Sequence, residues 1–234
     1  MEKIIKQKTT PLFSLFITLL LVISIITECY SLYRSNFLIY KVSRLLIIPL
    51  LFIIVVDIKN INRIKKIFYF SLLFTFIADI LTLDNIKPYY NIGMLMYMIS
   101  FMLVGIGTLK LRKSKIKNEK ILRYVLATMC FGFILTNFVV TEFISHGYIL
   151  FLATYMFMLY QTINLKKERK YLGKKYFTPF SLLAIVSIIC FAFTQIRPSG
   201  MLTCFLLLLN GLSYFFLGMG IKNISKGIAV KTNK

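Results

Sequence analysis

The residues that could do chemistry are few, and nearly all are polar groups set inside apolar runs. Asp79 is the clearest, because Ser71 and Thr75 precede it at four-residue spacing and would share its face on a helix. A charge in hydrocarbon costs about 2.5 to 3.5 kcal/mol on insertion scales, so one that persists faces a bundle interior or water and marks function. Lys41 and Arg44 are three residues apart, hence on one face of their own run, where they could receive a phosphate or pair with Asp79 and Glu28. Glu28, Asp84, Glu142 and His146 fall toward the same ends of their runs. Ser187, Cys190 and Thr194 form a second polar stripe leading to Arg197, and Asn210 sits midway along the last run. Together these groups could line a pocket open to the outer leaflet. The competing reading is structural: Glu28, Lys41, Glu142 and Arg197 could snorkel into water, and Asp79 with Arg44 could be an ion pair that fixes helix register.

Such groups need elements that span a membrane to hold them. Runs of about 17 to 25 apolar residues cross the roughly 30 Å hydrocarbon layer as helices. Eight are present, at about 11–32, 37–56, 67–83, 90–109, 124–143, 147–165, 177–196 and 201–221. Strands are disfavoured, since a barrel needs shorter segments of alternating polarity and stretches such as Leu45 to Val56 are apolar on every side. The expected fold is all-α: a polytopic integral membrane protein, eight transmembrane helices in one bundle, forming a single domain over residues 1–234.

Composition agrees. Of 234 residues, 58% are hydrophobic and 16% charged, with mean hydropathy +0.78, which excludes a soluble globular domain. The net charge of +21 comes from 29 Lys and Arg residues, and their positions say what it is for. All but Arg34, Lys41, Arg44, Lys87 and Arg197 fall at the N-terminus, in every second loop and at the C-terminus. That alternation is the positive-inside pattern, so both termini are expected in the cytoplasm and the chain in a cell membrane, of the bacterial inner-membrane kind. Basic residues confined to short loops argue against nucleic acid as a partner. The loops from Lys110 to Arg123 and from Lys166 to Lys175 could instead touch anionic lipid headgroups. The run after Lys8 is too long for the core of a cleavable signal peptide.

Several chemistries lack their usual elements. There is no G-x-S-x-G elbow, H-E-x-x-H motif, Walker loop or Rossmann glycine fingerprint, so no cofactor is expected. Cys29, Cys130, Cys190 and Cys204 have no paired ligand spacing and read as small hydrophobes, with no metal site among them.

Four stretches carry a resemblance to a known family. RLLIIPLL, with Arg44 five residues before Pro49, resembles the Lys-Pro-Leu-x-x-Pro stretch of the YhhN family of small polytopic membrane proteins, which includes lysoplasmalogenases. LLFTFIADILTL is similar to that family's segment ending in Gly-Asp, which maps Asp79 onto its acidic residue and Ala78 onto its glycine. NIGMLMYMISFMLVGI resembles the glycine-initiated span that follows, and YILFLATYMFMLY the later tyrosine- and methionine-bearing one. The likeness covers most of the chain. Two family positions differ: its fourth-span histidine falls near Phe101, and its seventh-span Ser-Asp near Ser187-Ile188.

The resemblance implies hydrolysis of the vinyl ether of a lysoplasmalogen to a fatty aldehyde and a glycerophospho-ethanolamine or glycerophospho-choline, with a membrane lysophospholipid as ligand. Asp79 would then supply the proton, Glu142 or Glu28 would replace the second aspartate, and Lys41 and Arg44 would hold the phosphate. A small transporter or channel with intramembrane charges along its path is the alternative, as is a non-catalytic lipid-binding or scaffold protein.

Overall fold

The computed structural model describes residues 11–56, 63–84, 86–111, 119–134, 144–164, 174–196 and 199–224. Among these the chain is all-helical, without a strand. The helices are α1 (Pro11–Tyr33), α2 (Phe37–Val55), α3 (Arg63–Thr82), α4 (Lys87–Leu111), α5 (Glu119–Ile134), α6 (Ile144–Asn164), α7 (Lys174–Ile196) and α8 (Gly200–Lys222). Four of them, at Phe13–Tyr33, Phe37–Val55, Pro88–Leu111 and Gly200–Lys222, are long and apolar enough to cross a membrane. These four make the chain a membrane protein on length and composition.

Helix ends depart from the apolar runs where the backbone keeps its ladder after the side chains turn polar. Helix α3 starts at Arg63, four residues before its apolar run, and α4 has 25 residues. At 1.5 Å per residue α4 is about 38 Å long, more than the hydrocarbon layer needs, so its ends reach headgroup depth. The last part of the fifth expected span, to Phe143, lies outside the described residues. Between α1 and α2 the chain reverses in three residues. Ser35 takes a left-handed conformation (φ 57°), and the Asn36 side chain caps α2 by accepting from the Ile39 N–H at 3.3 Å.

Seven helices close a ring. Helix α1 packs on α2, α2 on α3, α3 on α4, α4 on α6, α6 on α7, α7 on α8, and α8 returns to α1, while α5 lies outside against α4 and α6. Large apolar side chains such as Leu15, Phe16, Leu182, Ile189 and Phe193 cover the perimeter, where a bilayer would meet them. Inside, Leu21, Ile25, Leu51, Phe68, Leu72 and Phe177 are nearly or fully buried.

Lipid tails are as apolar as leucine, so packing and interhelical hydrogen bonds hold such a ring together. Gly93 lets α4 approach α3 closely. A Cβ there would come within 2.6 Å of Thr82 Cγ2 and 3.2 Å of the Ala78 carbonyl oxygen. The thiols of Cys29 and Cys204 each donate to the other's carbonyl, at 3.4 and 3.3 Å, joining α1 to α8. Tyr155 Oη–H donates to the Ala184 carbonyl at 3.0 Å, joining α6 to α7.

Candidate functional site

The ring encloses a cavity of about 860 Å³, bounded by residues from all seven of its helices. That volume lies within the roughly 300 to 1,000 Å³ of small-molecule sites. Its charged lining groups among the described residues are Glu28 from α1, Arg44 from α2 and Asp79 from α3. The rest is chiefly apolar and aromatic, including Ile47, Val104, Met158, Phe180 and Leu217, with hydroxyls from Tyr97, Tyr155 and Tyr214. The cavity is thus amphiphilic.

The sequence puts Arg44 and Asp79 on facing helices because α2 and α3 run antiparallel. Arg44 lies seven residues from the start of α2, and Asp79 three residues from the end of α3. The two side chains meet: Arg44 Nε and Nη2 each stand 3.1 Å from Asp79 Oδ1. The Tyr97 hydroxyl donates to the same oxygen at 2.5 Å and accepts from Arg44 Nη2 at 3.1 Å, while Arg44 Nη1 donates to the Tyr40 hydroxyl at 2.7 Å. Three of the five guanidinium N–H groups thus donate hydrogen bonds, one each from Nε, Nη1 and Nη2. Asp79 Oδ1 therefore takes every donor, and Oδ2 has no partner among the described residues.

One turn deeper, the stripe that leads to Asp79 forms a second network. Ser71 and Thr75 are buried with Asp79 on the inner face of α3. Thr75 and Ser100 share a hydrogen bond of 2.7 Å, and both hydroxyls reach the Ser71 carbonyl, at 3.0 and 2.9 Å. Thr75 and Ser100 also line the cavity, so its wall between α3 and α4 is polar and fully bonded.

The other expected site residues are placed as follows. Glu28 is buried, at 4% exposure, and lines the cavity. Lys41, one turn toward the α2 N-terminus from Arg44, is not part of the lining and pairs with Asp84, both side chains being well exposed. Glu142 and Arg197 lie outside the described residues. His146 is in the first turn of α6. Ser187 and Asn210 reach the cavity, and Cys190 is buried on the same face of α7 as Ser187.

Tyr97, Tyr40 and Ser100 were not singled out by sequence reasoning. A signal exists for the two tyrosines. Tyr40 stands four residues before Arg44, and Tyr90, Met94, Tyr97, Phe101 and Val104 recur at three- and four-residue spacing along α4, all on the cavity face.

Comparison with family models, with curated proteins and with solved structures finds no match. The functional reading therefore stands on the cavity and its residues.

A second hollow, of about 740 Å³, lies on the outer side of α2 and α3 around Pro49, Phe52, Tyr69, Phe70 and Phe76, with Lys66 at its edge.

Proposed function

We propose that the chain is an eight-span membrane protein of the YhhN type with both termini in the cytoplasm, and that its central cavity takes a single-chain phospholipid. The reaction we assign there is hydrolysis of the vinyl ether of a lysoplasmalogen. The observation that carries the reading is the cavity's polarity: three charged side chains on its lining, with mainly apolar and aromatic walls elsewhere. An amphiphile with one acyl chain has that form.

The chemistry needs a proton donor and a water. Asp79 Oδ1 is held by Arg44 and Tyr97, so Oδ2 is the oxygen free to act. Charged beside Arg44 at rest, Asp79 takes a proton onto Oδ2 from water and gives it to the outer vinyl carbon, and the adjacent carbon becomes an oxocarbenium centre. Water adds to that centre and returns a proton to Oδ2. The hemiacetal then collapses to a fatty aldehyde and the free glycerol hydroxyl, one water having been consumed. Arg44 and Tyr97 are positioning residues in this scheme.

The test is release of aldehyde from a lysoplasmalogen by the purified protein. Wild type should release it, and Asp79→Asn should lower the rate at least a hundredfold, the lower range of a general acid's contribution. Equal rates in the two proteins would refute the assignment of Asp79. A carrier is the second reading, favoured by intramembrane charges that bound a cavity. It predicts solute uptake into proteoliposomes that depends on Asp79, with no aldehyde formed.

A further inference from the structure

The face of α3 opposite Asp79 has an order of its own. Arg63, Lys66, Phe70 and Leu73 follow at three- and four-residue spacing and all are exposed, so they form one outward stripe with two cations at its start and apolar groups beyond. Lys66, Phe70 and Leu73 border the outer hollow between α2 and α3. Its floor is Ile48 and Leu72, both buried, and its rims are Ile53 on α2 and Phe70 on α3, each about half exposed. Near the Lys66 end Tyr69 ties the two helices together. Its ring meets that of Phe52 edge-on, with centroids 5.6 Å apart, and its hydroxyl donates to the Val55 carbonyl at 3.3 Å. The groove is thus built into the α2–α3 contact.

Length and charge say what fits it. Lys66 and Phe76 bound the groove on α3, and ten residues at 1.5 Å each span about 15 Å. That is half of the roughly 30 Å hydrocarbon layer, the depth of one leaflet. Lys66 immediately precedes the apolar run that begins at Ile67, so it stands at headgroup depth. Among the described residues neither Lys66 nor Arg63 forms an ion pair, and no carboxylate lines the groove. An occupant must be anionic at one end and apolar over the depth of one leaflet. We infer that the groove is a site for an anionic glycerophospholipid of the cytoplasmic leaflet, with one acyl chain between α2 and α3 and the phosphate against Lys66 and Arg63. A soluble anion would leave the apolar length unfilled, and a zwitterionic lipid would bring its own ammonium up to the two cations. The inference rests on the proposed eight-span topology and is independent of what occupies the central cavity.

The chain has no tryptophan, so a single introduced one reports its own surroundings. Phe70→Trp places it on the groove rim, and Phe193→Trp, at a similarly exposed phenylalanine of α7, is the perimeter control. Each full-length variant is reconstituted in phosphatidylcholine vesicles with a rising fraction of lipid brominated midway along its chains, either phosphatidylglycerol or phosphatidylcholine. Tryptophan quenching is then followed. At Phe70→Trp, brominated phosphatidylglycerol should reach the same quenching at a fraction about fivefold lower than brominated phosphatidylcholine, the effect of one cation at an anionic surface. At Phe193→Trp the two lipids should be equivalent. Adding Lys66→Gln should reduce the preference at Phe70→Trp, and adding Arg63→Gln as well should remove it, whereas Lys66→Arg should keep it. If the Gln variants do not fold, Phe70→Trp alone still decides, because raising the salt from about 0.1 to about 1 M should weaken the preference. Equal quenching by the two lipids at Phe70→Trp, or a preference that neither the double variant nor salt alters, would overturn the site and leave the topology standing. No quenching of Phe70→Trp by either lipid would overturn the lipid-facing placement of α3 as well.

Discussion

Replacing Asp79 by Asn keeps the side chain's shape and removes the negative partner of Arg44, and the geometry sets what this costs. Both Arg44 nitrogens that face Asp79 stand 3.1 Å from one oxygen, with the Asp79 side chain 8% exposed and that of Arg44 23%. Breaking a buried pair by deleting one partner costs about 3 to 5 kcal/mol. Asp79→Asn should fall near the lower end, about 3 kcal/mol, because the Tyr40 and Tyr97 hydroxyls and the field of Glu28 still support the guanidinium. Arg44→Met should cost more, since it leaves Asp79 and Glu28 facing one cavity with no cation between them. The double variant leaves only Glu28 charged, so its cost should fall short of the sum of the two single costs by about 2 kcal/mol or more. Reversible unfolding of the four proteins in mixed micelles measures this. Additivity to within about 0.5 kcal/mol would mean that the two groups do not act as a pair, and the reasoning about the site's core would fail.

Three further outcomes follow from the same geometry. Tyr97→Phe removes a donor to Asp79 and an acceptor for Arg44, so it should cost about 1 to 3 kcal/mol in the same unfolding assay and slow aldehyde release. Lys41→Met breaks only the exposed pair with Asp84, so unfolding should shift by less than about 1 kcal/mol and aldehyde release should be unchanged. A large loss of activity in that variant would bring Lys41 back to the site. Gly93→Ala puts a methyl group 3.2 Å from the Ala78 carbonyl oxygen, which as backbone cannot turn aside. It should separate α3 from α4, cost about 1 to 3 kcal/mol and loosen the Tyr97–Asp79 contact, whereas unchanged stability would mean that the two helices are not so closely apposed.

What could be read from the sequence follows from how few explanations each signal admits. A carboxylate in an apolar run has few, and the four-residue spacing of Ser71, Thr75 and Asp79 fixes a face, so their shared burial on α3 was legible. Arg44 was legible as the partner of Asp79 because two opposite charges fell at one level of adjacent antiparallel runs. The tyrosines were legible only by their spacing, not by their type. The chain has 14 of them, and nothing in the residue type distinguishes Tyr97 in the network from one on the perimeter such as Tyr160. The isolation of Glu28 among the described residues was hidden for another reason. It is the outcome of a competition in which Asp79 takes Arg44 and Asp84 takes Lys41, and local spacing does not rank such pairings. The exclusion of α5 from the ring is likewise a matter of long-range packing, which the apolar period of a single helix does not encode.

The central claim, that one single-chain phospholipid occupies the middle of the seven-helix ring, is tested most directly by photocrosslinking. A lysophosphatidylcholine with a diazirine near the end of its chain is irradiated with the protein, and the labelled residues are identified by mass spectrometry. The account predicts saturable labelling at cavity-lining positions such as Met158, Phe180 and Leu217, abolished by excess unlabelled lysophosphatidylcholine. Labelling confined to perimeter residues such as Leu182, Ile189 and Phe193, with no effect of the competitor, would contradict it.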